Sequence, residues 1–173
     1  MKETIQDLLE RRSIRSYKPE QIKKEELDTV LQCGVYAPTA MGKHSPLMIV
    51  VQDAAKVKTL SQMNAAIWGK AIDPFYGAPT AIIVMAEKDN PNSVQDASLV
   101  LGNLMNAAHA LVLGSCWINR AKEMFEKEDG QSLLREWGVG DKYMGVSICA
   151  LGYIAGEYPQ PKPRKHGYVV YAG

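Results

Sequence analysis

The chain has no excess of charge of either sign. Twenty Lys and Arg stand against 19 Asp and Glu in 173 residues, a net charge of +1. General nucleic-acid or anionic-membrane binding favours a strong basic excess, so neither partner is expected. No apolar run approaches the ~20 residues of a membrane span. The opening Met1-Lys2-Glu3-Thr4-Ile5 is not a signal peptide, and a cytoplasmic location is expected. Cysteine is scarce: Cys33, Cys116 and Cys149. Their odd number and the lack of a C-x-x-C pair point to reduced thiols rather than disulfides. His44, His109 and His166 are scattered, with no metal-ligand spacing, so no metal is expected. His109 reads as a hydrogen-bonded core residue.

Familiar nucleotide and hydrolase signatures are also missing. A phosphate-binding P-loop needs Gly five residues before Gly42-Lys43 or Gly69-Lys70, where Ala37 and Asn64 stand. Gly138-Val139-Gly140 is followed by Tyr143 where the dinucleotide fingerprint needs Gly. Any nicotinamide binding is therefore not of Rossmann type. No G-x-S-x-G elbow marks a nucleophilic serine.

What is present is an apolar fraction of 46%, enough for one core. A single domain over residues 1–173 is expected, or one protomer of an intertwined dimer. Helical spacing appears over residues 3–12, with Ile5, Leu8 and Leu9 on one face, and over 24–35. Helices are also expected at 54–69, 93–113, 121–127 and 131–137. Strands are expected at 48–51, 81–85, 115–118 and 144–153, with Trp117 in the core. Residues 93–113 are apolar almost all round, which implies a central helix or one packed on a partner subunit. Gly114 is placed as its C-cap. Residues 155–167 are too proline-rich for a helix and too polar for a core. They read as an extended surface arm ending in Tyr168-Val169-Val170-Tyr171, able to add to another subunit's sheet edge.

Two basic clusters lie at opposite ends: Arg11-Arg12-Ser13-Ile14-Arg15 and Pro161-Lys162-Pro163-Arg164-Lys165. Arg and Lys suit phosphate oxygens, and Ser13 adds a neutral donor. Alternatively, Arg11 and Arg12 serve only the negative end of the first helix.

In combination with other segments these residues resemble the FMN-dependent nitroreductases. The matching stretches run in order: Arg11–Tyr17, Ala37–Pro46 before a strand, and Tyr76-Gly77-Ala78-Pro79 before the next. Asp96-Ala97-Ser98 then opens the long helix, which leads to Leu113–Ile118, and Leu151-Gly152-Tyr153 precedes the second basic cluster. No single motif is specific; the ordered set is.

The resemblance implies an α+β, three-layer α/β/α fold, with a central mixed sheet around a long buried helix. It implies an intertwined homodimer with exchanged C-terminal arms and FMN at the interface. By position, Arg11, Arg12, Ser13, Lys162 and Arg164 resemble the phosphate and ribityl contacts. Arg15 matches a basic residue by the pyrimidine edge. Pro38, Thr39 and Ala40, with Gly42 and His44, match a loop of the other subunit lying against the ring. Asn119 and Arg120 fall where the family often has Glu-Gly beside N5. Phe75 and Tyr76 are candidates to wall the substrate site, or ordinary packing. The implied function is ping-pong hydride transfer from NADH or NADPH, through flavin N5, to an electron-poor acceptor such as a nitroaromatic, quinone or enone. Alternatives are a flavin reductase or dehalogenase of the same fold, or a non-catalytic FMN storage or sensing protein. The chain departs from the family at Gly42 and His44, where amides are common. It also lacks a long insertion over the site, leaving Trp68–Tyr76 as the only candidate lid.

Overall fold

A computed structural model describes residues 2–173. Helices α1 (Glu3–Glu10) and α2 (Lys24–Val35) come first, followed by strand β1 (Leu47–Val51) and helix α3 (Ala54–Trp68). Then come β2 (Thr80–Glu87), α4 (Ser93–Ala110), β3 (Gly114–Ile118), α5 (Ala121–Glu126), α6 (Glu128–Glu136) and β4 (Tyr143–Gly152). The expected helices and strands all appear, with ends displaced by a few residues at most.

The three layers follow from strand periodicity. Successive side chains on β2 point to opposite faces. Ala81, Ile83 and Met85 join Ile148 and Ala150 of β4 on one face, against Val57 and Leu60 of α3, Met124 and Phe125 of α5, and Leu134 of α6. Ile82, Val84 and Ala86 join Cys149 and Leu151 on the other, against Val30 of α2 and Val100, Leu101 and Leu104 of α4. Both faces of the two central strands are thus covered, which is why β2 reads as a continuous apolar run.

The sheet order is β1-β2-β4-β3, and every neighbouring pair is antiparallel. The mixed sheet is therefore corrected in detail. Helices alternating with strands signal parallel crossovers, and β2 and β3 do run the same way across α4. However, β4 inserts between them, antiparallel to both. Among the described residues, the one parallel pairing outside the named strands is an isolated bridge from Ser13 to Ser115.

Two other expectations fail. Gly114 does not cap α4; Leu111 does, and Val112 takes the left-handed turn with φ 60°. Gly114 instead opens β3, where a Cβ would come within 2.9 Å of Ile14 Cγ2. Trp117 is not core. It alternates outward from β3 and is 57% exposed.

Within the single chain, α4 is buried along one stripe only, and Val94 and Leu99 on it are exposed. No residue of α1 is buried; Ile5, Leu8 and Leu9 all face out. Tyr168–Tyr171 form no strand and are exposed. Among the described residues, no helix is long and apolar enough to cross a membrane.

Candidate flavin site

The N-terminal cluster is laid along β3. Helix α1 ends as the Arg11 N–H reaches Asp7 O at 2.9 Å. The chain then runs beside β3, where the Ile14 N–H donates to Ser115 O at 3.0 Å. Alternation buries Ile14 and turns Arg15 outward. Tyr17 is buried, and its hydroxyl donates to Ile14 O at 2.9 Å, fixing the segment from its far end. Desolvation holds that phenol well above the ordinary range, so it stays a neutral donor.

The arginines divide between the two readings. Arg12 Nη1 donates to Leu9 O and Arg11 O, each at 2.9 Å, so it serves the carbonyl end of α1. Arg11 Nη1 and Arg12 Nε are buried without a hydrogen-bond partner among the described residues. A buried guanidinium N–H left unpaired is costly, and an anion supplies what it lacks. The cradle therefore fits a phosphate. Arg15 lies over the Tyr76 ring, 5.8 Å from its centroid. Cys116 lies close by; burial raises its thiol despite the lowering effect of Arg15, the Ser13 hydrogen bond and Arg11. Burial also pushes Cys149 up to about 12. Neither thiol is an activated nucleophile.

Four residues along β3 from Ser115, a strand covers about 13 Å and reaches Asn119, where pairing with β4 has ended. A device the sequence did not announce holds this turn. Asn64 of α3 is fully buried. Its Nδ2 donates to Asn119 O at 2.7 Å, and its Oδ1 accepts from Arg120 Nε at 3.0 Å. Arg120 has φ 73°, a left-handed conformation costing an L-residue about 1 kcal/mol. Its guanidinium lies 4.4 Å from the centroid of the Trp68 ring. An Asn facing inward from a helix is a weak signal; only the fold reveals its partners.

The loop before β1 is equally constrained but lies elsewhere. Met41, Gly42 and His44 all have positive φ, of 54°, 63° and 49°. The His44 N–H donates to Thr39 Oγ1 at 3.0 Å, and the Ala40 N–H to buried Asp96 Oδ1 at 2.9 Å. Pro38, Thr39, Gly42 and His44 line an open cleft of about 540 Å³ beside Val35 and Tyr36.

Asp96 is in the first turn of α4, and His109 in its last. His109 Nδ1 is 3.2 Å from the Tyr158 hydroxyl, which accepts from the Arg12 N–H at 2.9 Å. Thirteen residues of helix rise about 20 Å. The loop and the arginine cluster therefore sit at opposite ends of α4 in one chain. His109 is hydrogen-bonded as expected, but half-buried, at the root of the arm rather than in the core. Lys162 and Arg164 follow on the exposed arm and make no hydrogen bond to the cluster. Phe75 is not a wall of this site: at 1% exposure it belongs to the core, because Asp73 folds its loop inward by accepting from the Phe75 N–H at 2.9 Å. Tyr76 is half-buried and lies under Arg15.

The model of the nitroreductase family matches residues 8–153. The chain belongs to the nitroreductase family. An Archaeoglobus fulgidus protein named "Putative NADH dehydrogenase/NAD(P)H nitroreductase" is 30% identical over 163 residues, covering 91% of this chain and 88% of that one. A Clostridium difficile FMN-dependent nitroreductase structure is 31% identical with TM-score 0.82, covering 96% and 98% of the two chains. A Bacteroides fragilis nitroreductase structure with bound FMN is 26% identical with TM-score 0.91, and the match covers both chains fully.

Proposed function

We propose that this nitroreductase-family chain is an FMN-dependent NAD(P)H oxidoreductase, acting as a homodimer on a small electron-poor acceptor. The observation that carries the reading is the pair of orphaned buried donors, Arg11 Nη1 and Arg12 Nε, beside Ser13. The FMN named with the Bacteroides and Clostridium relatives has the phosphate such donors require.

Each part of the site has a task. Arg11, Arg12 and Ser13 bind the phosphate, and Lys162 and Arg164 of the arm add positive charge there. Arg15 supplies a cation at the ring end, where it favours a flavin that has gained negative charge. The Asn119 backbone N–H, held in place by Asn64, donates to the ring. Bound FMN would accept hydride from NADH or NADPH and pass reducing equivalents to a nitroaromatic, quinone or enone. No side chain is required as nucleophile or base, in keeping with the raised thiols of Cys116 and Cys149.

Length supports the homodimer. Pro38, Thr39, Ala40, Gly42 and His44 cannot reach the arginine cluster of their own chain along α4. A two-fold related copy, with its α4 antiparallel, brings its loop to that cluster. The exposed apolar residues of α1 and α4 are what such a contact would cover. The outer edge of β1 is unpaired among the named strands, whereas Ser13 shields β3, so the partner's Tyr168–Tyr171 has one open edge to join.

The test is spectroscopic. Purified protein, supplied with FMN, is titrated anaerobically with NADH and NADPH. Flavin absorbance near ~450 nm should bleach with a donor and return with a nitroaromatic or quinone. Retained flavin that does not bleach contradicts the enzyme reading; failure to retain FMN contradicts the cofactor.

A further inference from the structure

Three cations gather around the segment Trp68–Tyr76, and none has an acidic partner among the described residues. Arg120 and Lys70 lie 4.4 and 4.6 Å from the centroid of the Trp68 ring. Their charges therefore stand within about 9 Å of one another, a repulsive arrangement when nothing negative is near. Arg15 stands over Tyr76 at the other end of the same segment. Asp73 is the one acid within that segment, and both its oxygens accept hydrogen bonds from within the chain. It accepts from Ser61 Oγ, from the Phe75 N–H at 2.9 Å and from the Gly77 N–H at 2.6 Å.

Arg120 is not a free surface cation. Its Nε is fixed to buried Asn64 at 3.0 Å and its plane is held against an indole, which leaves the Nη groups as a pre-oriented fork. It adjoins Asn119, whose backbone is proposed above to meet the flavin ring. A left-handed residue at this turn suits Gly, so a large charged side chain here is a departure that backbone geometry does not explain.

We propose that Arg120, supported by Lys70 on Trp68, is an oxyanion subsite at the mouth of the flavin site. It takes a carboxylate or phosphate of the molecule that approaches the ring, and so makes the enzyme selective for acidic substrates. A carboxylate meets the fork in a bidentate, charge-assisted pair while its aromatic body lies toward the ring. Two molecules can bring such a group: an acceptor such as an aryl carboxylate, or the 2′-phosphate of NADPH.

The inference rests on the flavin-site reading only for what lies beside Arg120, and the test separates the two. The protein as purified is titrated calorimetrically, without turnover, with 4-nitrobenzoate and with its neutral isostere 4-nitrobenzamide. The benzoate should bind about tenfold more tightly, and Arg120→Gly should erase the difference. Glycine accepts φ 73° and Asn64 Nδ2 still donates to Asn119 O, so at this turn the variant gives up only the bond to Asn64 Oδ1. Lys70→Gln, on an exposed loop, should narrow the difference by a smaller factor. Under turnover, two ratios of kcat/KM are compared in wild type and Arg120→Gly: acid over amide acceptor, and NADPH over NADH. A fall of about tenfold in the first assigns the subsite to the acceptor's carboxylate, and in the second to the donor's phosphate. If the benzoate binds no tighter than the amide and neither ratio moves, the subsite does not exist. Protein that loads no FMN yet prefers the benzoate keeps the subsite and loses the flavin reading.

Discussion

Arg11 and Arg12 are adjacent in sequence and face different partners. Arg12 spends one nitrogen on the carbonyl end of α1, and Arg11 keeps a buried nitrogen unpaired. The account predicts different losses. Arg11→Ala should weaken FMN binding about 10- to 100-fold, the size of a lost charge-assisted hydrogen bond, with little change in melting temperature. Arg12→Ala should also destabilise the fold by about 1 kcal/mol, because Leu9 O in the last turn of α1 and Arg11 O just after it lose their donor. Flavin fluorescence titration and thermal melts of both variants check this. Sequence alone left phosphate binding and helix-dipole pairing open for these residues, because both use the same residue type at the same place. Asn64 was illegible for a related reason: its partners are backbone and side-chain atoms 55 and 56 residues away.

At the scale of elements, periodicity located helices and strands well, since burial on each is one-sided or complete in a way the apolar pattern records. It misplaced one cap, and the mixed sheet that the resemblance implied is antiparallel. The parallel pattern of strands about α4 is real, but the late strand β4 lies between them, and no local signal tells where a strand inserts. Gly often ends helices, which favours Gly114 as a cap. Its place is set instead by Ile14, a contact 100 residues away in the chain. Trp117, expected in the core, stands on the edge strand β3, where alternation turns it outward. The Ile14 contact yields a prediction. Gly114→Ala puts a methyl 2.9 Å from Ile14 Cγ2, between Ser13 and Arg15. Overpacking should cost about 1–3 kcal/mol, and FMN affinity should fall with it as the cluster is displaced. Unfolding by urea, measured with and without FMN, checks both; unchanged affinity in a destabilised variant would separate the cluster from its support.

At the scale of the molecule, the open question of the sequence was whether the apolar α4 is central or shared. In one chain it is not fully covered, and its length holds the loop and the cluster apart. The central claim is accordingly a site completed by two copies. The most direct measurement pairs two variants that damage opposite ends of α4. Arg11→Glu reverses charge in the phosphate cradle, and Ala40→Trp fills the space before the loop. Each alone should fail to retain FMN. Unfolded together and refolded as a mixture, they should form hybrid dimers in which one of two sites is intact, restoring about a quarter of the wild-type flavin content. No recovery in mixtures shown to contain the hybrid dimer would place both halves of the site in one chain and contradict the account.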